Sequence, residues 1–528
     1  MKKTFLLSCL MLAAMPVMAA YTGHVYVDKN KNGVFDQSEK PLAGIKVSDG
    51  LNVVETAADG SFTLPGHERE RFIFITTPSG YKTFNRHYHK IEKKQSGYDF
   101  GLIPYSGRIR KNGSHRYIHI ADTEIFNTEN HADWVNNVRD YARNEQAAFI
   151  IHTGDICYEK GLKAHIKLMN TENMDCPVFY CIGNHDLVKG KYGEELFESI
   201  YGPVYYSFDA GNVHYVVTPM PGGDHAPGYT SDDVCRWLKN DLAHIRPGTP
   251  VVVFNHDLLT YEDTFIFKSK NAGSINLNEY NLKAWVYGHW HINYMKKQGD
   301  VYSVCTSSLD KGGIDHSTTA FRVMHVDSKG DFTSELRYTY LDKNICIASP
   351  AGVMASGVLP VAVNVYSSVS PVREVLYTCL ADGKPVLKNK RLLQSTDWSW
   401  NGELPLSHKY VGKELTLRVT ARFNNGEIAE AESNFICRTE KAVPLFSADW
   451  DNLSGNAKHS APVSAPLNLP LQLAWTNNVG ANLYMTSPLI HKGKIIVASV
   501  DEDLKGAGHV YALNGKDGST LWSYPVRN

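Results

Sequence analysis

Gly183-Asn184-His185-Asp186 is the stretch that decides how the rest of the chain is interpreted. It directly follows the apolar run PVFYCI at positions 177–182, which predicts a short buried strand. Gly183 allows a sharp turn at the strand end. The turn then brings together an amide, an imidazole and a carboxylate, which suit metal binding and acid–base chemistry. Alone, such a tetrapeptide is more often an ordinary polar turn.

Four further apolar runs end in the same way, at residues 117–121, 148–153, 251–255 and 284–287. The polar residues that follow them are Asp122 and Glu124, then Asp155, then His256, and finally His289 and His291. Packing alone does not explain five strands that each close on Asp, Asn, Glu or His. Since α/β folds place their sites at the carboxyl ends of strands, we expect these side chains to converge. Oxygen and imidazole ligands without Cys favour hard or borderline divalent cations, and there are enough groups for two ions.

The five segments resemble the motifs of calcineurin-like metallophosphoesterases, which are D-x-H, G-D, G-N-H-D/E, an isolated His after a strand, and G-H-x-H. The resemblance covers roughly residues 114–345 and points to an exported, multidomain type. It implies an α/β domain with two mixed sheets flanked by helices, in the four-layer sandwich of that family, and all-β modules before and after it.

The resemblance also assigns the motif residues to two ions that share one carboxylate, about 3.5–4 Å apart. The implied bridging residue is Asp155, the implied ligands of one ion are Asp122 and His291, and those of the other are Asn184, His256 and His289. Glu124 stands where the family motif has His, and we expect its carboxylate to reach the first ion. His185 would be the general acid near the leaving group, with Asp186 orienting it.

The implied function is hydrolysis of a phosphate mono- or diester by a metal-bound hydroxide. Mn, Mg, Fe and Zn all fit the ligand set, and nucleotides, phospholipids, sugar phosphates and cell-wall polymers all remain open as substrates. The alternative is a non-catalytic surface or binding protein whose site has decayed, with Glu124 as the first sign. A metal hydrolase for another kind of ester is a third interpretation without specific support in the sequence.

Composition limits the partners. The chain has 528 residues with 54 Lys and Arg against 55 Asp and Glu, so the formal charge is −1. No basic region indicates nucleic-acid binding.

Residues 1–19 have two lysines, an apolar run and a small-residue cleavage site, which predicts a signal peptide and an exported, periplasmic or extracellular protein. No later stretch is apolar enough to predict a membrane span. One of the nine cysteines falls in this segment, and the spacing of the other eight leaves disulfide pairing open.

Residues 20–108 contain short β-type runs between Gly, Pro and Asp-Gly turns, which predicts a β-sandwich. It resembles the carboxypeptidase-regulatory and Cna-B-like modules that precede exported metallophosphoesterases. One turn fits the calcium-loop pattern D-x-[DN]-x-[DN]-G-x₅-E, and an Asn-rich hairpin tip is the alternative. The predicted ligands of this single structural Ca are Asp28, Asn30, Asn32, Asp36 and Glu39.

Residues 350–438 alternate apolar and polar side chains, which predicts a second β-sandwich, with Cys379 and Cys437 as candidates for a disulfide between its sheets. Residues 441–470 have the Pro-rich composition of a linker. Residues 471–528 resemble part of a PQQ-like propeller repeat, with Trp475 and Trp522 spaced 47 residues apart. Because one blade cannot close a ring, we expect either a truncated propeller or docking on a neighbour, and no PQQ cofactor is implied.

Overall fold

The computed structural model describes residues 20–67, 69–95, 97–439, 449–461, 471–481, 483, 487–499 and 508–526. The predicted signal peptide, most of the predicted linker and part of the predicted propeller repeat lie outside these residues. Among the helices that are described, none has both the length and the apolar composition needed to cross a membrane.

The N-terminal domain is built from nine strands. They are β1 (Tyr21–Val27), β2 (Lys40–Pro41), β3 (Lys46–Ser48), β4 (Val53–Glu55), β5 (Ser61–Leu64), β6 (Phe72–Ile75), β7 (Tyr81–Thr83), β8 (Tyr88–Lys90) and β9 (Phe100–Pro104). One sheet has the order β2-β1-β9-β7 with β5 also paired to β1, and the other has the order β4-β3-β6-β8. Val25, Val47 and Ile73 come from both sheets and are buried in one apolar cluster. Two sheets around one core are the arrangement of a β-sandwich.

The central domain alternates strands and helices. Its elements are β10 (His115–Ile120), α1 (Ala132–Asn144), β11 (Phe149–His152), α2 (Tyr158–Leu168), α3 (Thr171–Met174), β12 (Val178–Tyr180), α4 (Glu195–Tyr201), β13 (Tyr206–Ala210), β14 (Val213–Val217), α5 (Ser231–Ala243), β15 (Val251–Phe254), β16 (Ile266–Phe267), β17 (Ile275–Asn276), β18 (Leu282–Tyr287), β19 (Tyr294–Gln298), β20 (Val301–Cys305), β21 (Ala320–Val326) and β22 (Phe332–Tyr338). Thr230 caps α5 in a reciprocal capping box with Asp233.

Two mixed sheets form the centre of this domain, with the orders β12-β11-β10-β21-β22 and β13-β14-β15-β18-β20-β19. Strands β10, β11 and β12 run parallel, as do β14, β15, β18 and β20. Tyr117 and Phe149 of the first sheet pack edge-to-face on Tyr215 and Phe254 of the second, so the main core lies between the sheets. Helices α1, α2 and α4 join a second apolar cluster with the first sheet. This arrangement confirms the predicted fold class.

The N-terminal domain shares its core with the central domain. Phe74 of β6 packs on Trp237 of α5, with ring centroids 6.3 Å apart, and both side chains belong to the same buried cluster. Arg71 adds an ion pair, with Nη2 2.8 Å from Glu194 Oε1 and 3.2 Å from Glu198 Oε1. The shared apolar contacts indicate that the two domains stabilise each other.

The described residues from 344 to 437 form another pair of sheets. Their strands are β23 (Asn344–Ser349), β24 (Gly352–Met354), β25 (Val358–Tyr366), β26 (Val372–Ala381), β27 (Lys384–Arg391), β28 (Leu393–Gln394), β29 (Ser399–Pro405), β30 (Glu414–Phe423) and β31 (Ile428–Cys437). The sheet orders are β23-β25-β29-β28 and β24-β31-β30-β26-β27. Cys379 and Cys437 lie on β26 and β31 of the same sheet and are free thiols, so they do not join the two sheets.

A four-stranded antiparallel sheet comes last in the described chain. Its strands are β32 (Leu489–His491), β33 (Lys494–Ala498), β34 (Gly508–Asn514) and β35 (Thr520–Val526), paired in sequence order. Trp475 donates its indole N–H to the Gly515 carbonyl over 3.1 Å, whereas Trp522 is 45% exposed. Trp475 and Trp522 thus have different surroundings, and the propeller repeat stays a prediction.

Short 3₁₀ helices are found at Leu277–Tyr280, His408–Tyr410 and Leu453–Gly455.

Candidate metal centre

The polar residues predicted from the strand ends converge at one edge of the central domain. Asp122, Asp155 and His185 follow the parallel strands β10, β11 and β12, and His256 and His289 follow β15 and β18 of the other sheet. Parallel strands place their carboxyl ends at a common edge, which is why residues so far apart in sequence meet.

One group of ligands surrounds Asp155. His256 Nε2 lies 3.1 Å from Asp155 Oδ2, and Asp155, His256 and His289 each place a ligand atom within 4.8 Å of the others. The backbone N–H of His185 donates to Asp155 Oδ1 over 3.0 Å, which brings the turn containing Asn184 to the same carboxylate. This group contains the residues expected to hold one ion.

A second group surrounds Asp122. His291 Nε2 lies 3.4 Å from Asp122 Oδ1 and 3.5 Å from Glu124 Oε1. The two groups adjoin, because His256 Nε2 is 4.0 Å from Asp122 Oδ1 and the backbone N–H of His289 donates to both Asp122 oxygens. The residues expected to hold the other ion, including Glu124, are therefore also close together.

The backbone around these side chains is strained. Positive φ angles occur at seven non-glycine residues of the site loops, which are Asp122, Glu124, Asp155, Cys157, Tyr158, His289 and His291. Such conformations cost of order 1–3 kcal/mol each and persist where the surrounding structure enforces them. A Cβ on Gly183 would lie 2.2 Å from Asp155 Oδ1, so the strand-end glycine is required by close approach.

The buried charges of the centre compensate one another. Burial raises the pKa of Asp122 well above its usual value. Burial opposes a charged His256, but the Asp155 and Asp122 carboxylates outweigh it and raise the pKa of His256 to about 9. The pKa of Asp155 is lowered because His256 outweighs the effect of burial.

Two buried polar atoms of the centre lack hydrogen-bond partners among the described residues. They are Asn184 Oδ1 and His256 Nε2, and the latter lies within ion-pair distance of Asp155 Oδ2. Orphaned buried polar atoms are costly and call for an explanation. An amide oxygen and an imidazole nitrogen beside several carboxylates fit a divalent cation, which both atoms could ligate.

His185 is held by a residue that the sequence analysis did not single out. Its Nδ1 lies 2.9 Å from Asp224 Oδ2, in the loop between β14 and α5. Asp186, expected to orient His185, instead accepts hydrogen bonds from the backbone N–H groups of Gly183 and Cys157 over 2.9 and 2.8 Å. Asp186 thus shapes the turn, and Asp224 positions the imidazole. Burial opposes protonation of His185, but Asp224 and Asp155 raise its pKa.

Lys311 is the other missed residue. Its Nζ lies 2.9 Å from Glu124 Oε2 and also donates to the Glu124 carbonyl over 3.1 Å. One carboxylate oxygen of Glu124 therefore faces a cationic side chain, while the other faces His291. Asp224 and Lys311 both lie far along the chain from the motifs that they contact, and no local sequence signal indicates Lys311.

Cys157 and the strand histidines are structural. Cys157 is 1% exposed, and burial followed by the Asp155 charge raises the pKa of its thiol far above the usual range, so it stays protonated at neutral pH. His119 and His152 are fully buried and hydrogen-bond Thr153 and Thr123 over 2.8 and 3.0 Å.

The calcium-type loop also closes on itself. Asp28 is 1% exposed and accepts from the backbone N–H groups of Asn32 and Gly33 over 3.1 and 2.9 Å. The side-chain amides of Asn30 and Asn32 donate to Asp36, and Glu39 accepts from the backbone of Lys29 and Asp36. The five predicted ligands are thus in one loop, and calcium binding stays a prediction.

Two family models match the chain. Residues 115–293 match the model "Calcineurin-like phosphoesterase", and residues 29–104 match "N terminal of Calcineurin-like phosphoesterase". Every predicted metal ligand of the central domain lies within the first match.

Individual relatives are distant. Purple acid phosphatase 13 of Arabidopsis thaliana is 26% identical over 215 residues, which cover 38% of this chain and 36% of that protein. The alignment thus spans about a third of the length of that curated relative.

Solved structures are also similar in part. They include an archaeal phosphodiesterase (14% identity, covering 42% of this chain and 99% of that one, TM-score 0.22). A putative 5′-nucleotidase from Staphylococcus aureus is 12% identical, covering 42% and 53%, with a TM-score of 0.26. Vps29 complexed with Zn²⁺ from Entamoeba histolytica is 12% identical, covering 43% and 94%, with a TM-score of 0.23.

Proposed function

We propose that this protein is an exported hydrolase of phosphate mono- or diesters that uses two divalent cations. The observation that carries the proposal is the pair of orphaned buried atoms, Asn184 Oδ1 and His256 Nε2, beside the carboxylates of Asp122 and Asp155. A site for polar packing alone would leave the Asn184 amide oxygen unpaired at a cost of about 1–3 kcal/mol.

The ligands fall into two sets that share Asp155. The first set contains Asp122, Glu124 and His291, and the second contains Asn184, His256 and His289. When bound, two such ions activate water near neutral pH and offset negative charge on the phosphoryl oxygens. Mn, Mg, Fe and Zn remain candidates.

His185 provides the proton for the leaving group. Its Nδ1 is engaged by Asp224, which leaves Nε2 as the nitrogen that can donate a proton. The carboxylates around it raise its pKa, so the imidazolium form persists to a higher pH than in a free histidine. Neither ring nitrogen of His185 is assigned to a metal ion.

Export is part of the proposal and is supported by the signal-peptide pattern of residues 1–19. The flanking β domains are proposed to support the central domain, and the N-terminal one does so through the shared core around Phe74 and Trp237.

The test is hydrolysis by the purified full chain after loading separately with Mn²⁺, Mg²⁺, Fe²⁺ and Zn²⁺. The panel contains 4-nitrophenyl phosphate, bis(4-nitrophenyl) phosphate, nucleotides, sugar phosphates and a phospholipid. We expect metal-dependent release from at least one class, with Asp155→Asn as the inactive control. Failure to hydrolyse every ester with every metal would overturn the proposal and favour a decayed site.

A further inference from the structure

Two aromatic side chains next to the metal centre are exposed to solvent. Phe126 is 57% exposed and Tyr158 is 44% exposed. Their rings are nearly parallel, with an interplanar angle of 15° and centroids 6.4 Å apart. Tyr117 and Phe149 of this domain are 1% and 2% exposed in the core, whereas Tyr261, which stacks on Trp290, is 77% exposed. An exposed apolar pair beside a site is a feature of binding surfaces.

The pair lies on the side of the centre where the leaving group is protonated. Tyr158 and His185 have ring centroids 5.3 Å apart, and the Tyr158 N–H donates to the His185 carbonyl over 3.0 Å. Phe126 and Tyr158 follow the predicted ligands Glu124 and Asp155 by two and three residues. A substrate whose phosphoryl group is at the ions therefore directs its leaving group toward these rings.

The position of Tyr158 is fixed by the same loop that shapes the centre. Cys157 and Tyr158 have φ angles of 74° and 53°, and the Cys157 N–H is held by Asp186 over 2.8 Å. Helix α2 begins at Tyr158, so the ring is on a defined element rather than a free loop. A ring held in this way loses little conformational entropy on binding.

The surroundings of the rings restrict what they can bind. Glu124 and Asp224, whose charges both act on Tyr158, are acidic and reachable by solvent, with side chains 25% and 38% exposed. An acidic rim disfavours a second anionic group, and an open, partly polar surface does not enclose an acyl chain. Flat π systems stack on such rings whatever their substituents.

We propose that Phe126 and Tyr158 form a stacking platform for an uncharged planar ring in the leaving group. The substrate class is then a phosphoester of a nucleoside or a similar ring-bearing alcohol. This inference rests on the proposed function and narrows its substrate.

The test compares AMP with ribose 5-phosphate, because both are phosphate esters of the ribose 5-hydroxyl and AMP has adenine where ribose 5-phosphate has its anomeric hydroxyl. We expect kcat/KM to be about tenfold higher for AMP, as one stacked base contributes. Phe126→Ala and Tyr158→Ala should remove most of that ratio, mainly by raising KM for AMP more than KM for ribose 5-phosphate. Tyr158→Phe should retain the ratio, since it keeps the ring. Trp398→Ala changes an exposed aromatic residue of the C-terminal sandwich and serves as the control.

For a strict diesterase, the ratio of the inhibition constants of AMP and ribose 5-phosphate against bis(4-nitrophenyl) phosphate gives the same comparison. Equal constants in the wild type, or variants that weaken both ligands alike, would overturn the platform. If esters are hydrolysed without a preference for the base, the proposed function stands and this inference falls. If no ester is hydrolysed, both fall.

Discussion

Two clusters of histidine and carboxylate side chains in this molecule have similar compositions. They differ in whether their polar atoms have hydrogen-bond partners. Asp49, His67 and Glu70 of the N-terminal domain bring their ligand atoms within 4.8 Å of one another, as do Asp155, His256 and His289 of the central domain. Residue type and proximity alone would assign a metal ion to both.

The N-terminal cluster is satisfied by its own surroundings. Asp49 accepts from two backbone N–H groups and from the Asn52 side chain, at 2.7–2.9 Å. Glu70 accepts from the Tyr21 hydroxyl and from the His67 backbone, and His67 Nε2 lies 3.1 Å from the Asp49 carbonyl. The central cluster instead leaves His256 Nε2 and the neighbouring Asn184 Oδ1 unpaired. Of the two clusters, only the central one combines buried polar atoms that lack hydrogen-bond partners with several carboxylates, and this combination fits a divalent cation.

The largest expected effect tests that distinction directly. Asp155→Asn should lower phosphoesterase activity by at least about 10³-fold and reduce the bound metal, because it removes the carboxylate shared by both ligand sets. Metal content by elemental analysis, activity and the circular dichroism spectrum provide the measurement. Asp49→Asn is the matched control and should leave the metal content unchanged. Loss of metal in the control instead of in Asp155→Asn would reverse the comparison.

His185→Asn should lower activity by about 10²–10⁴-fold with both metals retained, since His185 is a proton donor and not a ligand. Esters with good leaving groups, such as nitrophenolate, should lose least because they need no proton. Metal counting and kinetics on nitrophenyl and alkyl phosphates check this. A metal-depleted variant would show that His185 is a ligand.

The strand-end residues could be predicted from sequence because each motif is local. An apolar run, a glycine and the polar residues after it are contiguous, and parallel pairing then brings the strand ends together. The partners of these residues could not be predicted in the same way. Asp224 is 39 residues from His185, and Lys311 is 187 residues from Glu124, so only the folded loops bring them together. The family resemblance implies that Asp186 orients His185, but the Asp186 carboxylate accepts hydrogen bonds from the backbone of Gly183 and Cys157.

Glu124 is the residue that distinguishes the two interpretations of the site, a working metal centre and a decayed one. Glu124→Gln should lower the affinity for one of the two ions by about tenfold, because it removes an anion 3.5 Å from His291. Lys311→Met should act in the opposite direction by freeing the second carboxylate oxygen. Titration calorimetry with Mn²⁺ on both variants measures the effect. If the wild type holds one ion and Glu124→His gains a second one together with activity, Glu124 is a lesion and not a ligand.

Asp224→Asn should change the pH profile more than the maximal rate. Asp224 raises the pKa of His185, and the acid must be protonated, so activity is present below that pKa and is lost as pH rises through it. Removing the carboxylate lowers the pKa, and the alkaline limb of the kcat profile should move to lower pH. The acidic limb should stay in place. An unmoved alkaline limb would indicate that another group is the proton donor.

The smallest expected effect concerns the calcium-type loop, which is intermediate between the two clusters. Its carboxylates accept N–H groups, as in the Asp49 cluster, but Asp28 is buried with no cationic side chain paired to it among the described residues. A Ca²⁺ ion would offset the mutual repulsion of Asp28, Asp36 and Glu39.

Calcium at 100 times its Kd should stabilise the folded protein by about 2.7 kcal/mol. Because this domain shares a core with the central one, the shift should be measured as the Tm of the full chain. Asp28→Ala should abolish the shift without changing phosphoesterase activity. If millimolar calcium leaves the wild-type Tm unchanged, the loop is closed by its own hydrogen bonds and belongs with the Asp49 cluster.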